Sequence, residues 1–526
     1  MPTLYEEVLF NNHDNLKNPA LYFENKVFSY QSFFSHIKKM ISYFQSLGIK
    51  ENDVVTVALP NLPTTIFAFY ALNAIGVVQN IIHPLSKIEM IIKSMHETNS
   101  KFALVLATEY NYLKECSEKV IFVNPMHEQS VFMRLAFALK FGKIKRSDCH
   151  FVLEDYLSFH EVKEVNFHDD ERTSILLHSG GTTGSPKIIE LSNRSLNNLA
   201  RKVPYIVNEN LENKSMLAVL PTFHGFGLGM GIHAPLANRA SSSLMMKFNS
   251  KKIIKWINQG KINMIIGVPL LYQKLMKDEN FLKSKLNYLE FCFVGGDNVQ
   301  INLINEFNRL MKENGSSCLM LEGYGLTETV TVCTVNTREN FKIGSVGQGL
   351  NGIEIQIRDE NKNLLLNNEI GEVYIHGNTL MNGYYLDQKA TDATLVEIDG
   401  KPYIKTGDLG YLDEAGFLFL KGRMKRMFKL SGINIYPLEI EKIALENNDV
   451  YEASMEFFAN PKPHTVLYLI KNKKSNKSDE DIINELYSVF NERLIKYSIP
   501  TKIVFLDHFP QTLVGKIDHN GFKDVN

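Results

Sequence analysis

Apolar runs of strand length at 54–59, 102–106, 120–123, 216–220, 264–268 and 288–294 alternate with helix-period stretches through the first 300 residues. Strands separated by helices predict mostly parallel sheets covered by helices. From about Gly352 the period changes. Runs at 353–357, 371–376 and 416–420 read as strands divided by turns such as Asp359-Glu-Asn and Asp413-Glu-Ala-Gly, which predicts an antiparallel subdomain. A basic stretch at 422–429, Gly432 and a helix expected from Pro437 mark a domain boundary. Beyond it a strand at 465–470, a lysine-rich loop at 471–477 and a helix at 478–494 suffice for a small α+β lid.

The stretch 54–86 lacks charge over most of its length, but Pro60, Pro63 and Gly76 cut it into strand, helix and strand, so it reads as a buried β-α-β unit rather than a membrane span. Residues 132–146 mix Met133, Leu135, Phe137, Leu139 and Phe141 with Arg134, Lys140, Lys143, Lys145 and Arg146. That pattern fits a membrane-surface helix as well as a solvated connection, and the second is the expectation. At 526 residues the chain exceeds one ordinary core and predicts at least two domains. Lys plus Arg number 57 against 58 Asp plus Glu, so no overall field favours nucleic acid or an anionic surface as the main partner, and a small molecule is expected. Five cysteines without Cys-x-x-Cys spacing argue against zinc and against a secreted disulfide framework. The first fifteen residues lack the basic and apolar segments of a signal peptide, so the expected location is cytoplasmic.

The chemistry concentrates in residues 178–187, His-Ser-Gly-Gly-Thr-Thr-Gly-Ser-Pro-Lys, between two apolar runs. Gly180, Gly181 and Gly184 let the backbone approach an anion, Ser179, Thr182, Thr183 and Ser185 supply hydroxyl donors, and Lys187 supplies charge. This is the composition of a phosphate clamp, and equally of an ordinary surface turn. Its spacing is not that of the mononucleotide P-loop, since the lysine follows Pro186 and a strand follows the lysine. Gly347-Gln-Gly349-Leu-Asn-Gly352 formally matches the dinucleotide fingerprint, but a strand follows it, so a dehydrogenase is discarded. Glycines 225, 227, 229 and 231 alternate after Phe223-His224, which fits either ligand approach or a tightly packed helix. Tyr324-Gly-Leu-Thr-Glu328 offers an aromatic face, a hydroxyl and a carboxylate suited to a hard cation. Asp408, in an expected turn at 405–408, can accept from a ribose diol, and Lys516 lies in a glycine-flanked tail.

In order and content these segments resemble the adenylate-forming superfamily of acyl-CoA synthetases, peptide-synthetase adenylation domains and beetle luciferases across almost the whole chain. The matches are 179–187, Pro221-Thr-Phe-His224, Gly267-Val-Pro269, Val294-Gly-Gly-Asp297, 324–328, Gly344-Ser-Val-Gly347, Thr406-Gly-Asp408, Gly422-Arg423-x-Lys425, Lys429 with Gly432, and Gly515-Lys516. The fold implied is α/β with α+β. A large N-terminal AMP-binding domain, 1–422, would hold two helix-flanked sheets and a small antiparallel barrel-like subdomain, and a small mobile C-terminal lid, 423–526, would turn on a hinge near Lys425. The resemblance implies an acid–thiol ligase: a carboxylate attacks the α-phosphate of ATP to give an acyl-adenylate and pyrophosphate, and a thiol then releases AMP. Lys516, Glu328, Thr183 and His224 would form the catalytic set, with Glu328 holding Mg²⁺. Ser179, Gly180, Gly181, Thr182, Thr183 and Lys187 would hold phosphates and Thr327 the α-phosphate. Gly295, Gly296, Asp297, Glu322 and Gly323 would line the base pocket, Tyr324 would lie against adenine, and Asp408 and Arg423 would hold the ribose. Lys516 would bridge carboxylate and α-phosphate, and Lys429 and Gly432 would face the thiol after rotation of the lid.

His519 stands where an arginine is common in the family, and the stretch between Phe458 and Leu467 is short, which puts the thiol-side surface in doubt. Amino-acid-activating relatives place an aspartate where this chain has His224, so an α-amino acid is disfavoured, and His224, Phe226, Met230 and Val330 point to an apolar or aromatic acyl group. Coenzyme A is the expected thiol, with carrier-protein phosphopantetheine as the alternative, and a monomer or homodimer is expected. The cluster Lys471, Lys473, Lys474 and Lys477 is read as solvated rather than as a phosphate-binding surface. A regulatory nucleotide binder without catalysis, or an oxygenase using the adenylate, is the competing class, and retention of Glu328 and Lys516 argues against the former.

Overall fold

A computed structural model describes residues 2–114, 116–142, 144–162, 171–179, 187–430, 433–459, 463–473, 475–510 and 517–524. Two large sheets dominate it. One has nine strands, with Pro19–Phe23, Ser241–Leu244, Ser215–Ala218, Met264–Gly267, Phe291–Val294 and Met320–Tyr324 running parallel as neighbours. The other has eight, centred on the parallel strands Val78–Ile81, Val54–Ala58, Phe102–Leu106 and Lys119–Val123. The predicted β-α-β unit is present: between Val54–Ala58 and Val78–Ile81 the helix Pro63–Ile75 buries every residue, as a helix apolar all round must.

A five-stranded antiparallel sheet comes next. Its long strand Lys401–Leu412 pairs along one edge with Gly371–Gly377, and along the other with Leu395–Ile398 and then Leu418–Arg423. Because one strand serves three neighbours in succession, Ile353–Arg358 stays at an outer edge and the expected barrel does not close. Residues 405–408, expected as a turn, lie inside that strand. Gly407 takes a left-handed φ of 69° and the register shifts beyond Leu409, so the ladder kinks without ending.

The C-terminal part has its own apolar cluster, built from Ile435 and Ile440 around the helix Pro437–Leu445, Leu467 on the strand His464–Lys471, and Leu486 and Phe490 on the helix Asp479–Arg493. Polar contacts join it to the rest: Lys421 to Glu439 at 3.1 Å, and Asn302 Nδ2 donating to the Leu445 carbonyl at 3.4 Å. In the lysine-rich loop Lys471 pairs with Asp479 and Lys477 with Asp449 and Glu485, while Lys474 lies outside the described residues. The segment 132–146 forms the helix Val131–Phe141, none of whose residues is buried.

His233 sits fully buried between the helices Pro63–Ile75 and Asn193–Val207. Its Nδ1 accepts from Tyr70 Oη at 3.1 Å and its Nε2–H donates to Asn197 Oδ1 at 2.8 Å, the tautomer this network requires. Burial holds its pKa down at about 3, against 6.5 ordinarily. The neutral ring therefore stabilises the fold fully above pH 6.5, and that contribution shrinks as pH falls toward 3. Scanning calorimetry across this range is expected to show Tm falling with acid, and His233→Gln to flatten the slope by about one proton; an unchanged slope would remove His233 as its source.

Candidate active site

The strands Phe291–Val294 and Met320–Tyr324 are parallel neighbours and end on the same side, where ligands bind in open α/β sheets. Glycines then bring their backbones into contact. A Cβ on Gly295 would lie 2.7 Å from the Gly323 carbonyl oxygen, and one on Gly325 would lie 1.7 Å from that of Thr331. A side chain at either position would wedge the strand ends apart. Between them opens a cleft lined by Phe226, Met230, Phe293, Val332 and Val335 together with Gly295, Gly296 and Gly323, with no charged residue among the described residues of its wall.

Of the expected acyl-pocket residues, Phe226 and Met230 line this cleft. Val330 does not. Its left-handed φ of 59° turns it into the fully buried space beside Gly229, and Thr331 and Val332 take its place at the wall. The alternating glycines lie on a π-helical turn, Phe226–His233, and pack closely: a Cβ on Gly227 would lie 2.1 Å from the Pro221 carbonyl oxygen. The exposed His224 lies with its ring 4.4 Å from Phe223, whose other neighbour is His83 at 4.5 Å.

Beside the cleft, three segments converge on one carboxyl group. Tyr324 Oη donates to Asp408 Oδ2 at 2.5 Å, Arg423 Nε pairs with Asp408 Oδ1 at 2.9 Å, and Arg423 Nη1 donates to the Thr406 carbonyl at 3.0 Å. Burial raises the Asp408 pKa above the usual carboxylate range, against the pull of Arg423, and raises that of Tyr324 well above its ordinary value. Glu322, one turn of the pleat away, is buried and its carboxyl is pushed up to about 7, with Lys442 of the C-terminal helix opposing the shift.

The 3-10 turn Thr327–Thr329 carries Glu328, whose Oε1 accepts from Tyr384 Oη at 2.9 Å. Lys187 Nζ lies 4.2 Å above the Tyr384 ring, so one tyrosine joins the end of the phosphate loop to the carboxylate. The loop's two ends are pinned: Ser179 N donates to the Lys187 carbonyl at 2.8 Å and Lys187 N to Ser179 Oγ at 2.9 Å. Gly180, Gly181, Thr182 and Thr183 lie outside the described residues, as do Gly432 and Lys516. In the chain flanking Lys516, Asp518 N donates to the Pro510 carbonyl at 2.8 Å, and His519 Nδ1 meets Glu456 at 2.7 Å. Lys425, in the turn Met424–Arg426, and Lys429, on the strand Phe428–Leu430, are exposed. Asp297 follows Gly296 at the rim, its Oδ1 accepting from Asn298 N at 2.8 Å. No cluster of three metal-ligating side chains exists among the described residues. A single carboxylate suits Mg²⁺ carried in by nucleotide phosphates, so Glu328 fits that ion.

Tyr384 escaped the sequence reading although Asn382-Gly383-Tyr384 carries a turn signal ahead of an aromatic. Phe293, Thr331, Val332 and Val335 escaped it because each reads as core.

The AMP-binding enzyme family model matches residues 11–385. The chain belongs to that family. Among curated relatives, a 4-coumarate–CoA ligase of Humulus lupulus is 26% identical over 499 residues, covering 91% of this chain and 85% of the relative. A long-chain-fatty-acid–CoA ligase of Bacillus subtilis is 25% identical over 523 residues, covering 95% and 90%. An anthranilate CoA ligase solved with anthranoyl-AMP shares the fold at a TM-score of 0.85 and 18% identity, covering 100% of this chain and 97% of the other. This protein is thus an adenylate-forming enzyme of the acyl-CoA synthetase type.

Tyr384→Phe keeps the ring and removes one hydrogen bond from Glu328. Steady-state pyrophosphate release should show KM for Mg·ATP rising by about tenfold or more, the worth of one charge-assisted bond, with the melting temperature preserved. An unaltered KM would detach Tyr384 from nucleotide binding.

Proposed function

We propose that the enzyme activates an uncharged, apolar or aromatic carboxylic acid with ATP and transfers the acyl group to coenzyme A. The observation that carries this reading is a cleft whose described wall residues are all uncharged, beside the Tyr324–Asp408–Arg423 cluster at the strand ends of the parallel sheet. Asp408 would accept from the ribose hydroxyls, Tyr324 would lie against adenine at the rim formed by Gly295, Gly296, Asp297 and Gly323, and Glu322 would support that rim from behind. The family name of the relatives as CoA ligases favours coenzyme A over a carrier protein, and the pairing of Lys471 and Lys477 with carboxylates supports reading that lysine-rich loop as solvated.

A carboxylate is a poor acyl donor because its leaving group would be oxide. In the first step its oxygen attacks the α-phosphorus and pyrophosphate departs. Charge grows on the phosphoryl oxygens, so positioned cations and donors supply the catalysis. Lys187, Ser179, Thr182 and Thr183 would hold the departing phosphates, Thr327 the α-phosphate, and Mg²⁺ on Glu328 would neutralise their charge. Lys516 would bridge the reacting oxygens. In the second step the thiol attacks the acyl carbon and AMP leaves, with the exposed His224 as the candidate side chain of this step. For the thiol to approach, Lys516 must withdraw. Rotation of residues 423–526 about Lys425 would accomplish that and bring Lys429 and Gly432 to the thiol, breaking contacts such as Lys421–Glu439 and Asn302–Leu445 on the way. The five cysteines are free, which fits a reducing cytoplasm.

Pyrophosphate release with benzoate, cinnamate, octanoate and palmitate, followed by mass spectrometry after addition of coenzyme A, should yield acyl-CoA from at least one acid; glycine should fail. Lys516→Ala should lower adenylation by about a hundredfold or more while sparing thioester formation from supplied acyl-AMP. An equal fall in both half-reactions would overturn the division of labour.

A further inference from the structure

We propose that the helix Val131–Phe141 is a docking surface for an anionic lipid bilayer. It holds eleven residues, begins with Ser130 accepting from Met133 N at its N-terminus, and buries none of its side chains. Phe132 is 80% exposed and Leu139 85%, values far from those of the core. At roughly 100° per residue, Val131, Phe132, Leu135, Ala136 and Leu139 fall within one arc of about 140°, while Phe137 and Phe141 lie opposite. The two phenylalanines stack at 4.7 Å, and Phe137 packs against the cluster under the eight-stranded sheet, so the helix is anchored by one face and presents the other outward.

Charge decides what covers the outward face. Arg134 borders the apolar arc on one side and Lys140 on the other, both exposed, and no carboxylate among the described residues pairs with either. A further basic residue, Lys145, comes four positions after the helix. Lys140 Nζ lies 5.3 Å over the Phe141 ring. A second protein surface would bury two cations that no carboxylate offsets at the margin of an apolar contact, whereas a bilayer lets their stems lie along hydrocarbon and their heads reach lipid phosphates. The helix is too short to span, and no helix among the described residues is long and apolar enough to cross a membrane, so the protein would rest on the surface. None of these residues belongs to the nucleotide or acyl site, and the inference stands whatever acid is used.

Co-sedimentation with sucrose-loaded vesicles tests it on the full-length enzyme, comparing pure phosphatidylcholine with a mixture containing phosphatidylglycerol. The enzyme should partition onto the anionic vesicles and, less strongly, onto the neutral ones. Leu135→Gln with Leu139→Gln, and separately Arg134→Gln with Lys140→Gln, should each lower the partition coefficient by about tenfold. Both exposed pairs should leave pyrophosphate release unchanged, which shows that the enzyme still folds. Absence of binding to anionic vesicles, or binding that both variants retain, would overturn the proposal. So would light scattering that shows a dimer split by the leucine variant alone, since a second copy would then cover the helix.

Discussion

The carboxyl group of Asp408 is where the large parallel sheet and the antiparallel subdomain are tied together. Tyr324 reaches it from the end of a parallel strand, Arg423 from the last antiparallel strand, and both bonds are short. Burial makes this carboxyl reluctant to ionise, and the Arg423 guanidinium and the Tyr324 hydroxyl offset part of that cost. A buried acceptor held open by two neighbours is suited to a diol, because its lone pairs are fixed in place before a ligand arrives. Everything assigned to the nucleotide is positioned relative to this contact.

A second constraint is steric. Gly295, Gly323 and Gly325 allow strand ends and the following turn to approach closer than any side chain permits, and the cleft exists because that approach is possible. The cost appears in the left-handed conformations of Val330 and Thr331, both β-branched, which the surrounding packing must hold in place.

Much of this was legible in the chain. The alternation of apolar runs with helical stretches located six of the parallel strands within a few residues but not Pro19–Phe23 or the serine-rich Ser241–Leu244, and prolines and a glycine marked the helix Pro63–Ile75 correctly. Of the glycine- and hydroxyl-rich stretch 178–187, Ser179 and Lys187 bond to each other, and residues 180–186 lie outside the described residues. What was missed has a common physical origin. Asp408 read as a turn residue because Gly407 signals one, whereas the ladder kinks at that glycine and continues. Val330 read as pocket because apolarity does not reveal backbone handedness, and the true wall residues look like core because they are core on their other side. Tyr384 acts from more than fifty residues beyond Glu328, a contact that only tertiary folding creates. The subdomain expected to be antiparallel and barrel-like is antiparallel, and its five strands form an open sheet, because a strand count says nothing about which edges pair.

The central claim is that Asp408 holds the nucleotide beside the acyl cleft. Isothermal titration of AMP into the wild-type enzyme and into Asp408→Asn tests it most directly. The account predicts an affinity lower by about tenfold or more in the variant, since the amide offers the ribose one acceptor oxygen in place of two and carries no charge. An affinity for AMP unchanged by the substitution, in a variant that melts like the wild type, would contradict it.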